Sequence, residues 1–247
     1  MPLKTTLNYS PNFDHKKRSL KQIKFIIFHY TGMKKESEAI NRLTNIQSEV
    51  SCHYLVKDNG KIINIVPDLY IAWHAGKSSW RNYKSLNQNS IGIEITNPGH
   101  TFGYKKFSKK QIFSLLKLSK FLIKKYKINL KNILGHSDVA PERKKDPGEK
   151  FPWQYLSQNK VGLWHLIKKH ELIKNRQIKT TKIDKDLFIN NLFKIGYKKK
   201  KPKTLSKNKY LDYVIKAFQR RYRQSLIDGK IDQECLIISQ NLIKRFY

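Results

Sequence analysis

The residues best equipped for chemistry lie in the stretch Gly135 to Trp153, GHSDVAPERKKDPGEKFPW, which places His136, Lys144 and Asp146 in non-repetitive loop sequence. His136 and Asp146 are too far apart to share a helical turn, so a common ligand would have to be gripped by a folded loop. Two protein donors are too few for a catalytic zinc, which takes three and leaves a fourth position open. His29 is the best third donor. It ends the apolar run IKFIIFH, where a buried strand would deliver it to the end of a sheet. A histidine there can equally be a hydrogen-bonded structural residue, and its company is what favours the ligand reading.

Glu94 completes the set. In SIGIEIT the alternation puts Ile91, Ile93 and Ile95 on one face of a strand and Gly92 and Glu94 on the other. A glutamate within an apolar strand is costly to bury unless it is paired or used. A salt bridge to one of the many lysines would satisfy it. Burial would also raise its pKa toward the range useful for general acid and base work. Two nitrogens and a carboxylate oxygen suit zinc with an open position, Glu94 could move the proton, and Lys144 could stabilise an oxyanion. The reaction class is hydrolysis of an amide or ester.

The elements that must position these groups are legible as patterns. Residues 23 to 29 read as a strand covered on both faces. Ser37 caps an expected helix to Gln47 with Ala39, Ile40, Leu43 and Ile46 on one face. Cys52 to Lys57 and Lys61 to Val66 form an expected hairpin about Asp58-Asn59-Gly60. His53, inside it, reads as a packed structural histidine. YIAWHAG, residues 70 to 76, leads into a loop to Asn89; Trp73 reads as core, whereas His74 and Trp80 could be core or face a cleft. Ser108 and Gln111 make a capping box for a helix to Lys127 carrying Ile112, Leu115, Leu116, Leu122, Ile123 and Tyr126 on one face. Asn132 to His136 reads as a further strand.

Composition bounds the rest. The chain has 247 residues, enough for one large domain or two unequal ones. No stretch approaches the roughly 18 to 20 apolar residues of a membrane span. MPLKTTLNYSPNFDHKKRSLKQ has no apolar core of a secretory signal, so the expectation is a cytoplasmic protein. The two cysteines, Cys52 and Cys235, are read as small buried hydrophobes. A net charge of +33, spread along the whole chain, asks for an anionic partner. The same Lys, Ile and Asn richness also fits an AT-rich genome. There is no base-reading motif, so nucleic acid is not expected as a partner.

The segments HYT (29 to 31), SCHYLV (51 to 56), AWHAG (72 to 76), SIGIE (90 to 94), GHSDVAPERKKDPG (135 to 148) and FPW (151 to 153) occur in the order that resembles the zinc-dependent N-acetylmuramoyl-L-alanine amidases. Their fold is shared with T7-type lysozyme and peptidoglycan recognition proteins. The resemblance covers about residues 20 to 165. It implies one zinc ion on His29, His136 and Asp146, Glu94 as general base and Lys144 as transition-state stabiliser. The implied substrate is peptidoglycan or a muropeptide, cut between the lactyl group of N-acetylmuramic acid and L-alanine. It also implies substrate contacts at His74, Trp80, Asn97 and Ala140. The alternative is a muropeptide recognition module without catalysis.

Beyond a basic linker in the later part of residues 166 to 182, three segments show helical spacing: 184 to 197, 210 to 222 and 232 to 246. They resemble the small peptidoglycan-binding domain of AmiD-like amidases, which would favour an exported, periplasmic or wall-associated enzyme. The expected fold class is therefore α+β: a mixed central sheet flanked by helices, residues 1 to 175, followed by an all-α three-helix domain, residues 183 to 247.

Overall fold

A computed structural model describes residues 4–247. Among these described residues ten strands form, most of them short: β1 (Thr6–Leu7), β2 (Phe13–Asp14), β3 (Phe25–Tyr30), β4 (Tyr54–Val56), β5 (Ile62–Asn64), β6 (Ile71–Ala72), β7 (Ser79–Trp80), β8 (Tyr83–Lys84), β9 (Ser90–Ile95) and β10 (Ile133–Gly135). Six of them make one mixed sheet in the order β1-β5-β4-β9-β3-β10. β4, β9, β3 and β10 run parallel, while β5 returns antiparallel to β4 as the expected hairpin. Gly60 makes that return possible, with φ of 82°.

The central strands β3 and β9 are almost continuous apolar runs because helices cover both faces. On one face Ile26, Phe28, Ile91, Ile93 and Ile95 pack against Leu115, Leu118 and Leu122 of α2 (Lys109–Tyr126). Ser108 caps α2, accepting from the Gln111 N–H, as its sequence requires. The helix α1 (Glu36–Thr44) packs over the outer strands through Leu43 against Leu55 and Ile63. Its cap differs from expectation: Ser37 lies inside the helix, and the Glu38 side chain instead reaches back to the Lys35 N–H.

The opposite face of the sheet, carrying Phe25, Ile27 and Leu134, is covered by the C-terminal helices α6 (Lys182–Ile195), α7 (Lys207–Tyr222) and α8 (Gln233–Phe246). Phe188, Leu192, Val214, Phe218 and Leu242 share one buried cluster with the sheet residues. Between come one-turn α3 (His136–Val139), α4 (Trp153–Gln158) and α5 (Lys169–Arg176). α5 ends where the expected linker, the later part of residues 166 to 182, begins. It has no apolar stripe, and is held by paired hydrogen bonds of 2.6 and 2.9 Å from Arg176 to Glu234 of α8.

The fold class is thus the expected α+β, with a mixed sheet between helical layers. Cys52 and Cys235 are buried thiols, and burial pushes Cys235 up to about 12. No helix among the described residues is long and apolar enough to cross a membrane.

Candidate active site

Three parallel strands end side by side, and the chemistry collects at their carboxyl ends, where open sheets with parallel strands place ligands. His29 on β3 pairs directly with Glu94 on β9, so their side chains leave the same face as neighbours. Gly135 on β10 pairs with Phe28, which brings His136 to the level of His29. His136 does not extend the strand as expected but opens α3. The chain then loops back, and the Ser137 N–H donates to the Asp146 carbonyl at 2.8 Å, closing the loop that returns Asp146 to its histidine.

His29 Nδ1, His136 Nδ1 and Asp146 Oδ2 form a triangle with edges of 2.9, 3.0 and 3.1 Å. All three residues are buried, and together they make a group able to hold a metal ion. The outer nitrogen of His136 lies 3.2 Å from the Ala75 carbonyl, to which it can only donate, and 3.4 Å from Arg143 Nη2; its Nδ1 is the atom turned to His29 and Asp146. Burial depresses His29 to about 4, aided by the neighbouring His136, which keeps the ring neutral at physiological pH.

Glu94 keeps part of its side chain accessible while its Oε2 is sealed from solvent without a hydrogen-bond partner. Burial, and secondly the Asp146 charge, push its carboxyl up to about 8. The lysine charge of Lys144 opposes this and also acts on His29, so the half-buried ammonium is part of the same field. The five residues expected to carry the chemistry are therefore brought together. A buried carboxylate oxygen with nothing to bind, beside three converging donors, fits a site built around a cation and the water beside it.

All four residues expected to contact substrate are buried. Trp80 is 1% exposed, locked in the core against Tyr197 with rings 4.9 Å apart. Asn97 is buried, donating to the Lys105 carbonyl and accepting from Gly99 N–H. Ala140 is fully buried. His74 lies beneath the site, its Nδ1 3.0 Å from His29 Nε2 and its Nε2 3.1 Å from Ser90 Oγ.

Sequence reasoning missed Asp138. Its carboxylate takes the Gly135 N–H at 2.8 Å, the Tyr197 hydroxyl at 2.9 Å and the Arg221 guanidinium at 2.6 Å. Arg221 also donates to the Ile133 carbonyl and lies over the Trp153 ring. The C-terminal helices are thereby tied to the turn that carries His136. The signal present was local: Asp138 stands at the third position of a helix start, where an acid binds back to the backbone.

Comparison with known proteins agrees with this geometry. The family profile of N-acetylmuramoyl-L-alanine amidases matches residues 19–149. The N-acetylmuramoyl-L-alanine amidase AmiD of Escherichia coli is 36% identical over 237 residues, covering 91% of this chain and 84% of that protein. The 1,6-anhydro-N-acetylmuramyl-L-alanine amidase AmpD of Haemophilus influenzae is 32% identical over 170 residues, 61% of this chain and 90% of that one. The structure of Escherichia coli AmiD with its substrate anhydro-N-acetylmuramic acid-L-Ala-D-γ-Glu-L-Lys superposes with a TM-score of 0.78 at 33% identity, over 94% of this chain and 93% of that chain. AmpDh3 of Pseudomonas aeruginosa in complex with anhydromuramic pentapeptide gives 0.78 at 28% identity, over 96% and 97%. The chain belongs to the N-acetylmuramoyl-L-alanine amidase family, hydrolases of the amide that joins the lactyl group of N-acetylmuramic acid to L-alanine.

Proposed function

We propose that this amidase works with one zinc ion held by His29, His136 and Asp146, with Glu94 as the proton carrier and Lys144 as the oxyanion stabiliser. The observation that carries this reading is the triangle of donor atoms 2.9 to 3.1 Å apart. Tetrahedral zinc with bonds of about 2.0 to 2.1 Å separates its ligands by about 3.3 Å, within a few tenths of this spacing. Bound zinc supplies Lewis acidity, polarising a carbonyl and lowering the pKa of water to about 7.

The remaining steps belong to the protein. Glu94, poised near neutrality, takes the proton from the attacking water and hands it to the departing amine of L-alanine. The Lys144 ammonium faces the negative charge that develops on the carbonyl oxygen. The substrate class is the muropeptide, as in the AmiD and AmpDh3 complexes. A stem peptide carries carboxylates, and the +33 chain attracts them at long range. Residues 183–247 serve as a peptidoglycan-binding-like unit whose inner face is already used against the sheet, leaving its outer surface for wall polymer.

Dialysis against a chelator followed by zinc titration tests this. The expected result is loss of muropeptide cleavage and full recovery at one zinc per chain. Cleavage that survives complete metal removal would overturn it.

A further inference from the structure

We infer that two consecutive residues of the AWHAG segment, the His74 ring and the Ala75 carbonyl, set the tautomers of both metal-facing histidines, so that each presents a bare Nδ1. The inference rests on the metal-binding reading above. It adds a residue that touches neither metal nor substrate: His74 is a positioning residue.

The direction of the hydrogen bonds follows from an end that can only accept. Ser90 Oγ lies 2.6 Å from the Leu86 carbonyl, so its single proton is committed there. His74 Nε2, 3.1 Å from that same Oγ, must then donate to it. The proton of neutral His74 is thus on Nε2, and its Nδ1 is an acceptor. His29 Nε2, 3.0 Å away, donates to that Nδ1, which leaves His29 Nδ1 without a proton. For the second histidine the nearer partner decides: His136 Nε2 lies 3.2 Å from the Ala75 carbonyl, which can only accept, against 3.4 Å from Arg143 Nη2, which can only donate, so Nε2 is assigned as the donor. Two bare nitrogens and a carboxylate oxygen then face one another with no hydrogen among them, an arrangement that repels itself until a cation arrives.

The chain builds this support deliberately. Asn87 Oδ1 accepts from the N–H groups of both His74 and Ala75, at 3.2 and 2.7 Å, and so holds the segment in place. Gly92 is the floor: a Cβ there would collide with the His74 ring. Ser90, Gly92 and Glu94 occupy one face of β9, so a single strand carries the end of the relay, the space for His74 and the proton carrier.

Imidazole nitrogen NMR on the metal-free protein and zinc affinity by competition with a chromophoric chelator test the inference together. In the wild type, His29, His74 and His136 should all be Nε2–H tautomers. His74→Leu should lose the His29 preference, keep that of His136, and weaken zinc about 10- to 100-fold, the usual effect of removing such an outer partner. His74→Asn, of similar size, keeps an acceptor near the Nδ1 position and should recover most of the affinity. An Nδ1–H tautomer at His29 in the wild type, a Leu variant that binds zinc like the wild type, or an Asn variant no better than Leu would each overturn it. Failure of the wild type to bind zinc would defeat the metal reading instead, with the tautomers still judged by NMR.

Discussion

Replacing Glu94 with Gln should inactivate the enzyme and, above neutral pH, stabilise its metal-free form. The side chain is nearly isosteric, and the change removes a carboxyl whose Oε2 is sealed without a partner. Burial moves this group from 4.5 to about 8. Between those values the unfolded chain has released the proton while the folded protein still holds it, so folding stability falls as pH rises. From pH 5 to pH 8 a shift of this size amounts to about 3 kcal/mol, with solvent at the partly accessible side chain trimming the ideal figure. The buried Gln amide carries a pH-independent cost of about 1 to 3 kcal/mol. The variant should therefore match or trail the wild type at pH 5 and exceed it at pH 8. Urea unfolding of both metal-free proteins across this range, with muropeptide turnover measured in parallel, is the assay. Turnover should fall about 10²- to 10⁴-fold for a lost proton carrier. Parallel stability curves for the two proteins would refute the burial argument, and retained turnover would refute the role.

Other expectations follow from the same contacts. Arg221→Ala leaves Asp138, 1% exposed, without its cation and should cost about 3 to 5 kcal/mol in urea unfolding, whereas a loss below about 1 kcal/mol would mean the pair is not structural. Leu122→Ala, in the middle of the α2 contact with the sheet, should cost about 2 to 5 kcal/mol by the same measurement. Zinc at 100 times its dissociation constant should raise wild-type stability by about 2.7 kcal/mol, seen as a concentration-dependent melting temperature that His136→Ala lacks. Lys144→Met should lower turnover far more than it weakens muropeptide binding, because the ammonium acts on charge that exists only in the transition state; an equal loss in both would assign it to substrate binding.

The parts of this site that were readable in sequence are those where strand periodicity meets a polar residue. The alternation in SIGIEIT put Glu94 on the opposite face from its isoleucines, and the apolar runs before His29 and His136 pointed both to strand ends. Strand pairing then made neighbours of them. What could not be read depends on contacts between distant segments. His74 had two open readings because nothing local says that Gly92 leaves space for its ring. Trp80 looked like a loop aromatic until the C-terminal helices closed over it, and Asp138 acquires its meaning from Arg221, 83 residues away. α5 lacks an apolar stripe and is held by a salt bridge to α8 together with Leu172 against the core, which periodicity cannot register. The family resemblance named His29, His136 and Asp146, which the fold gathers into one cluster, but a motif records identity and not which way a side chain points, so it could not say that His74, Trp80, Asn97 and Ala140 would be buried.

The most direct test of the account is mass spectrometry of the products formed from an anhydro-muropeptide by zinc-loaded wild type, Glu94→Gln and His136→Ala, each first shown to be folded. The account predicts free stem peptide beginning with L-alanine from the wild type alone. Release by either variant at the wild-type rate would contradict the assignment of this cluster as the catalytic centre.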